Sequence, residues 1–243
     1  MLDYLTFINV SPNPISVNER YKTLRLTEFR NFKPLGKWYT ESEVMYNLYY
    51  NQELYSDVDY IGFIQYDMDS SGIDVQTIQK LLQQEDRDLI LFQPFTFRQD
   101  YNQKILMDPE RPNTLQGEGL NCYETIFADY NAYYKENYQT QNFNEQVIGL
   151  CSAFLIRTSL FNEMMEFAVS IVESGKLDRF DTNHQYRIQG GLLERYYAAW
   201  LLLKKKQFNT ISLPHSFDGS HAQMSFYERF RLFISKKVNA FRK

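Results

Sequence analysis

The stretch Tyr60-Ile61-Gly62-Phe63-Ile64-Gln65-Tyr66-Asp67-Met68-Asp69-Ser70-Ser71-Gly72 decides how this chain is read. Its first seven residues form a mostly apolar run of strand length, and the run stops at a cluster of Asp, Ser and Gly. Residues i and i+2 of an extended chain project to the same side, roughly 6.5 to 7 Å apart at the backbone, so Asp67 and Asp69 can aim two carboxylates into one site. Two hard oxygen ligands suit Mg²⁺ or Mn²⁺, which keep several water or phosphate oxygens when bound. The same strand opens with a second pair, Asp57-Val58-Asp59. Ligands of open α/β sheets gather at the carboxyl ends of strands, which favours Asp67 and Asp69 and leaves Asp57 and Asp59 as a solvated turn.

Upstream, Leu5-Thr6-Phe7-Ile8-Asn9-Val10 predicts a short strand, stopped by Ser11-Pro12-Asn13-Pro14. Thr40-Glu41-Ser42-Glu43 has the form of a capping box, and with Val44, Leu48 and Leu54 it predicts a helix from about Glu41 to Leu54. Downstream, Val75, Ile78, Leu81 and Leu82 have helical spacing, and Leu89-Ile90-Leu91-Phe92 reads as a second buried strand. This alternation predicts a βαβ unit and an α/β chain with a mixed central sheet flanked by helices. The 27 residues from Pro94 to Leu120 show little periodicity and are expected to form a lid or binding loop. Helical spacing resumes over Tyr123 to Tyr138, and Ile148 to Arg157 reads as a core strand. A helix carrying Phe161, Met164, Met165, Ala168, Val169 and Val172 follows, with Gly175 placed to end it. A polar loop then leads through Gly190-Gly191 to a helix over Leu192 to Lys206 and a last strand, Thr210-Ile211-Ser212-Leu213. No repeat or linker interrupts the chain, so a single domain over 1–243 is expected.

Composition narrows the function classes. With 44% hydrophobic and 23% charged residues in 243, the chain has the means to bury a core. Its net charge of −4 gives no global pull toward nucleic acid, and no nucleic-acid partner is expected. The longest apolar run, Tyr196 to Leu203, has 8 residues, far below the ~20 of a membrane-spanning helix. Asp3 interrupts what would be the apolar part of a secretory signal, and two cysteines, Cys122 and Cys151, make neither a disulfide framework nor a metal knuckle. A cytoplasmic location is therefore expected. Aromatics reach 16%, with 19 Tyr, a side chain suited to sugar or base clefts and equally the product of a biased coding sequence.

The strand that ends in Asp67-Met68-Asp69 resembles the signature of the nucleotide-sugar-dependent glycosyltransferases of the GT-A fold, and more loosely the chain looks like small transferases that build bacterial surface polysaccharides or decorate viral capsids. The resemblance implies a Rossmann-like domain with a nucleotide-binding half (about 1–93), an acceptor half (about 121–224) and a basic tail. It implies that Asp69 binds a divalent ion, Mn²⁺ or Mg²⁺, that bridges the donor diphosphate, with Asp67 contacting the metal or the ribose. A C-terminal histidine often joins such a metal, and His215 or His221 stands in the corresponding region. The chain departs from the group in lacking the Gln-x-x-Arg-Trp signature of processive synthases and a clean acidic pair opening the acceptor helix.

The chemistry requires more than a metal. Displacing a nucleoside diphosphate builds negative charge on the leaving phosphate, and an inverting enzyme needs a base near the acceptor hydroxyl. Glu194, just after Gly190-Gly191, is the first candidate base because the glycines permit close approach of an acceptor, the alternative being a helix-surface Glu paired with Arg195; Asp181 is the second. Asn9 and Asn13 after the first strand are placed to meet the base or ribose, or simply to form a turn. Arg179 and Arg187 are candidates for phosphate, whereas His184 reads as a loop residue and Tyr196, Tyr197 and Trp200 as core. From Ser225 the tail sets Arg229, Arg231, Lys236, Lys237, Arg242 and Lys243 against Glu228, interleaved with Phe226, Phe230, Phe233 and Phe241. That suits an anionic lipid surface and a lipid-linked acceptor, or a packed terminal helix. The expected activity is transfer of a sugar from a nucleotide-diphosphate donor, a UDP-sugar on frequency alone, to a glycan or lipid-linked acceptor. A metal-dependent nucleotidyl or phosphoryl transferase and a non-catalytic carbohydrate-binding module are the rival readings.

Overall fold

The computed structural model describes residues 6–10, 22–36, 38–64, 75–84, 86–92, 94–97, 122–149, 152–180 and 188–213. Its centre is a four-stranded mixed sheet made by β3 (Tyr60–Phe63), β4 (Leu89–Leu91), β7 (Phe154–Arg157) and β8 (Thr210–Ser212), in the spatial order β3-β7-β4-β8. Strand β7 runs antiparallel to both β3 and β4, whereas β8 runs parallel to β4, so β3, β4 and β8 all point one way. Register alternates cleanly across all four strands. Ile61, Ile156 and Leu89 in one row and Phe63, Phe154 and Leu91 in another face a large core, while Leu155, Ile90 and Ile211 face the opposite side. The predicted βαβ unit is present, with α2 (Val75–Gln84) setting Ile78, Leu81 and Leu82 against that second face.

The larger face carries helices α1 (Glu41–Tyr49), α3 (Cys122–Tyr134), α4 (Thr158–Glu173) and α5 (Ile188–Lys204), whose buried side chains join one cluster reaching from Leu26 to Leu203. Phe161 of α4 is fully buried with its ring 5.6 Å from that of Tyr55 and 5.3 Å from that of Phe63. Truncating such a ring typically costs about 3–5 kcal/mol. Gly175, at φ +68, closes α4 as the sequence predicts, its N–H donating to the Val172 carbonyl. Trp200 is also fully enclosed and donates its indole N–H to Tyr134 Oη at 2.8 Å.

Five expectations are corrected. The capping box is not formed: Thr40 sits at φ +50 without a side-chain cap bond, and Glu43 instead accepts from the N–H groups of Leu35 and Gly36 at 2.7 and 3.0 Å. Helix α1 ends at Tyr49, because Asn51 turns its side chain to Asn31 N–H and the Asn47 carbonyl, and only a 3-10 turn covers Gln52–Leu54. The stretch expected to begin a loop at Pro94 begins as a strand, β5 (Pro94–Thr96), pairing antiparallel with β6 (Val147–Gly149); proline is tolerated because it opens the strand. The single strand expected over 148–157 is instead two strands in two sheets, β6 ending at Gly149 and β7 beginning at Phe154, with Ser152 at φ +46 between them. Finally, α5 begins at Ile188, so Gly190 and Gly191 lie inside the helix. The first predicted strand is β1 (Thr6–Asn9), and it pairs in parallel with β2 (Lys22–Arg25), which has too little apolar alternation to be foreseen.

Candidate functional site

Shared strand direction gives the sheet a carboxyl edge. Phe63 ends β3, Leu91 ends β4 and Ser212 ends β8, and all three lie in one register row with Phe154, the first residue of β7. The ladder extends one step past this row: Phe92 N–H donates to the Ala153 carbonyl at 3.1 Å and Leu213 N–H to the Leu91 carbonyl at 2.8 Å. Two residues before β7 begins stands Ser152, buried, in the left-handed region, with an Oγ that has no hydrogen-bond partner among the described residues. Each of these features opposes folding: the conformation by about 1–2 kcal/mol and the orphaned hydroxyl by about 1–3 kcal/mol. Ser152 is not among the residues singled out from sequence, because a serine in an apolar run carries no local mark of such a position.

Helix α5 brings charge to the same side. A Cβ placed at Gly149 would lie 2.7 Å from Leu91 and 3.8 Å from Leu201, so Leu201 is level with the end of β4. Beyond β4 and β5, Phe97 is fully buried with its ring 5.0 Å from Tyr123, and Tyr123 lies within the fields of Glu194 and Arg195. Helix α5 thus runs against β4–β5, and its first half, with Glu194 and Arg195, stands on the side to which the strands point.

The two glycines of α5 have different surroundings. At Gly190 a Cβ would meet Thr40 Oγ1 and the Tyr39 carbonyl oxygen, each at 2.6 Å. Gly190 N–H donates to the Trp38 carbonyl at 3.0 Å, and Ser42 Oγ donates to the Gly190 carbonyl at 3.2 Å. The close approach it permits is therefore to the chain's own backbone, not to an acceptor. At Gly191 a Cβ would meet only Arg195 Nη1, 3.5 Å away.

Glu194 and Arg195 each have side chains only 16% exposed, with Oε1 and Nη1 3.9 Å apart. Arg195 curls back along its helix and donates from Nη1 to the Gly191 carbonyl at 2.7 Å. Beside it, burial pushes the Cys122 thiol up to about 12 against the opposing pull of the Arg195 charge, and burial likewise raises the Tyr123 phenol. Both neighbours are neutral near pH 7.

Of the functional candidates proposed from sequence, Asn9, Arg179 and Glu194 lie within the described part. Asn9 is the buried last residue of β1. Asn13, Asp67, Asp69, Asp181, His184, Arg187, His215 and His221 lie outside the described residues, as do Cys151, most of the expected lid and the basic tail. Arg179 is corrected from phosphate ligand to structural cation: it donates to Asp129, which also accepts from Tyr196 Oη at 2.6 Å and pairs with Lys176 at 3.1 Å. Burial alone would raise the Asp129 pKa, but hydrogen bonds from Arg179, Tyr196 and Lys176 outweigh it and hold the carboxyl below its ordinary range. Tyr196, Tyr197 and Trp200 are core residues, as read from sequence. Among the described residues no group of three or more His, Cys, Asp and Glu could hold a metal, and no helix is long and apolar enough to cross a membrane.

No protein-family model and no curated protein matches the sequence. Among solved structures, the fold is similar to that of the WbbM bifunctional glycosyltransferase in its apo form, with a TM-score of 0.56 and 17% sequence identity. The match covers 88% of this chain and 45% of the WbbM chain, so this chain matches less than half of that protein. At this identity the likeness is one of fold, and it agrees with the mixed α/β architecture expected from the sequence.

Proposed function

We propose that the chain is a glycosyltransferase that moves a sugar from a nucleotide-diphosphate donor, a UDP-sugar in the first instance, to a glycan or lipid-linked acceptor. The observation that carries this reading is the common carboxyl edge of β3, β4 and β8, within a fold similar to that of a glycosyltransferase. Asp67 follows Phe63 of β3 by four residues, and His215 follows Ser212 of β8 by three. With neighbouring strands about 4.8 Å apart and about 3.3 Å of reach per residue, those segments start close enough to serve one site.

Two carboxylates and an imidazole form a donor set that fits Mn²⁺ or Mg²⁺. Asp69 and Asp67 would hold the ion together with His215 or His221, and the bound ion would supply Lewis-acid stabilisation of the departing diphosphate. The remaining steps belong to the chain's own residues. Asn9 and Asn13 follow the first strand, where they would meet the base and ribose, and Arg187 would add a contact to phosphate. In an inverting reaction the acceptor oxygen bonds to the anomeric carbon as the bond from that carbon to the phosphate oxygen breaks. The acceptor's proton passes to a carboxylate, Glu194 in this reading and Asp181 as the second choice. The basic tail would hold the protein against the anionic surface that carries a lipid-linked acceptor.

Thermal stabilisation against a panel of nucleoside diphosphates and their sugars, each with Mn²⁺ and with a chelator, tests the proposal. A ligand at ~100 times its dissociation constant adds about 2.7 kcal/mol, which is readily seen for a chain of this size. The expected result is a metal-dependent shift with one nucleotide class, lost in Asp69→Ala, and release of that nucleoside diphosphate from its sugar donor. Release of pyrophosphate instead, or a shift that survives in Asp69→Ala, would refute it.

A further inference from the structure

The corner formed by α3 and the first half of α5 contains a cation whose capacity the fold does not use. The Arg195 side chain is only 16% exposed, yet among the described residues its guanidinium makes one hydrogen bond, from Nη1 to the Gly191 carbonyl at 2.7 Å. A guanidinium carries five N–H donors in a rigid planar fork, so the edge formed by Nε and Nη2 is left for another acceptor. The nearest carboxylate, Glu194, stands 3.9 Å from Nη1, too far for a hydrogen bond. Cys122 and Tyr123 beside it are neutral, so neither answers its charge. Among the described residues there is space for an answering group: a Cβ at Gly191 would touch Arg195 Nη1 and no other described residue. At Gly190, one residue earlier, the corresponding space is taken by Tyr39 and Thr40.

We infer that Arg195 is a binding residue for a substrate oxyanion, engaging it bidentately through Nε and Nη2 in the open space beside Gly191, and that this oxyanion is the diphosphate of the donor. The assignment rests on the glycosyltransferase reading for the identity of the ligand, whereas the unused fork and the open flank are features of this chain alone. Planar two-point recognition is what a guanidinium supplies and an ammonium does not. A phosphate and a carboxylate share that chemistry, and an acidic sugar is the other source of such a group. Glu194 would lie next to the bound anion.

Calorimetric titration of the full chain and of Arg195→Lys and Arg195→Gln, in Mn²⁺ and in chelator, tests the assignment. The probes are a nucleoside, its diphosphate, inorganic pyrophosphate and glucuronate. Matching circular dichroism and melting temperature establish that each variant is folded, and Arg195→Lys, which keeps the charge, serves alone if Arg195→Gln is not. The expected result is a loss of about 10- to 100-fold in affinity for the diphosphate and for pyrophosphate in both variants, with nucleoside affinity unchanged. Metal-dependent diphosphate binding that is equal in wild type and variants overturns the assignment and leaves the glycosyltransferase reading standing. Weakening for glucuronate but not pyrophosphate overturns it in favour of an acidic acceptor. A wild-type chain that binds neither diphosphate nor pyrophosphate overturns both.

Discussion

Two adjacent glycines in one helix are expected to respond to the same substitution with opposite sign. In Gly190→Ala the new methyl would stand 2.6 Å from the Tyr39 carbonyl oxygen and from Thr40 Oγ1, and 3.0 Å from the Tyr39 carbonyl carbon. Thr40 can turn its side chain aside, but the Tyr39 carbonyl is backbone and can move only with the chain. The start of α5 must therefore lift away from residues 38–42. That stretches two hydrogen bonds, from Gly190 N–H to the Trp38 carbonyl and from Ser42 Oγ to the Gly190 carbonyl. Overpacking of this kind costs about 1–3 kcal/mol and each weakened bond about 0.5–1.5 kcal/mol, against a gain of about 1 kcal/mol for alanine over glycine in a helix. The net expectation is a loss of about 2 kcal/mol, or roughly 4–8 °C in melting temperature for a chain of this length. In Gly191→Ala the methyl meets, among the described residues, only Arg195 Nη1 at 3.5 Å, an ordinary contact, so the helical gain survives and stability rises by up to about 1 kcal/mol. Urea unfolding of both variants beside the wild type reads the difference directly. If Gly190→Ala proves as stable as Gly191→Ala, the close approach of α5 to Tyr39 and Thr40 is wrong.

Two further outcomes follow from buried groups. Asp129 has its pKa held down in the folded chain, so its contribution is complete above the ordinary aspartate value of about 3.9 and is lost as pH falls from there through the lower folded value. Asp129→Asn should cost about 2 kcal/mol at pH 7, less than the about 3–5 kcal/mol of a fully buried pair, because Lys176 and Arg179 are 35% and 44% exposed and regain water. The difference from wild type should shrink on acidification, and a constant difference between pH 7 and pH 3 would contradict the role given to the carboxylate. Cys122, with its thiol pushed up to about 12 and its side chain enclosed, should resist iodoacetamide at pH 8 in the native state and react on unfolding. Peptide mass spectrometry resolves its labelling, and rapid native modification at Cys122 would show that the α3–α5 corner is open.

Local periodicity carried much of the fold. The run from Tyr60, the α2 spacing, Leu89-Ile90-Leu91, the apolar stripe of α4 with its Gly175 stop, and the last short strand are all where the sequence pattern puts them. What escaped were features set by contacts between distant segments. An apolar run from Ile148 to Arg157 reads the same whether it serves one sheet or two, and the left-handed Ser152 lies between the two strands it forms. Gly190 is needed because Tyr39 and Thr40 approach it from the turn before α1, a relation invisible in the Gly190-Gly191 pair. Glu43 looked like a cap because its spacing from Thr40 is correct, yet the N–H groups of Leu35 and Gly36 claim its carboxylate. Asp67, Asp69 and Glu194 are candidates on chemistry that the sequence displays. Arg195 and Ser152 became visible only through burial and unused hydrogen-bonding capacity, which no single sequence displays.

The insertion of β7 between β3 and β4 also sets the order in which the chain can assemble. Among the described residues β3 pairs with β7 alone, some 90 residues further on, and β4 is completed on its other flank by β8, more than 100 residues after it. A nascent chain emerging at about 5–20 residues per second exposes β3 for several seconds before any sheet partner exists. Folding by such distant pairings is slow, and an unpaired apolar strand is a template for the wrong neighbour. The strand that leads into Asp67 and Asp69 is thus the part of the sheet longest at risk during synthesis. Variants that weaken β7 are expected to reduce the yield of folded protein before they reduce its activity.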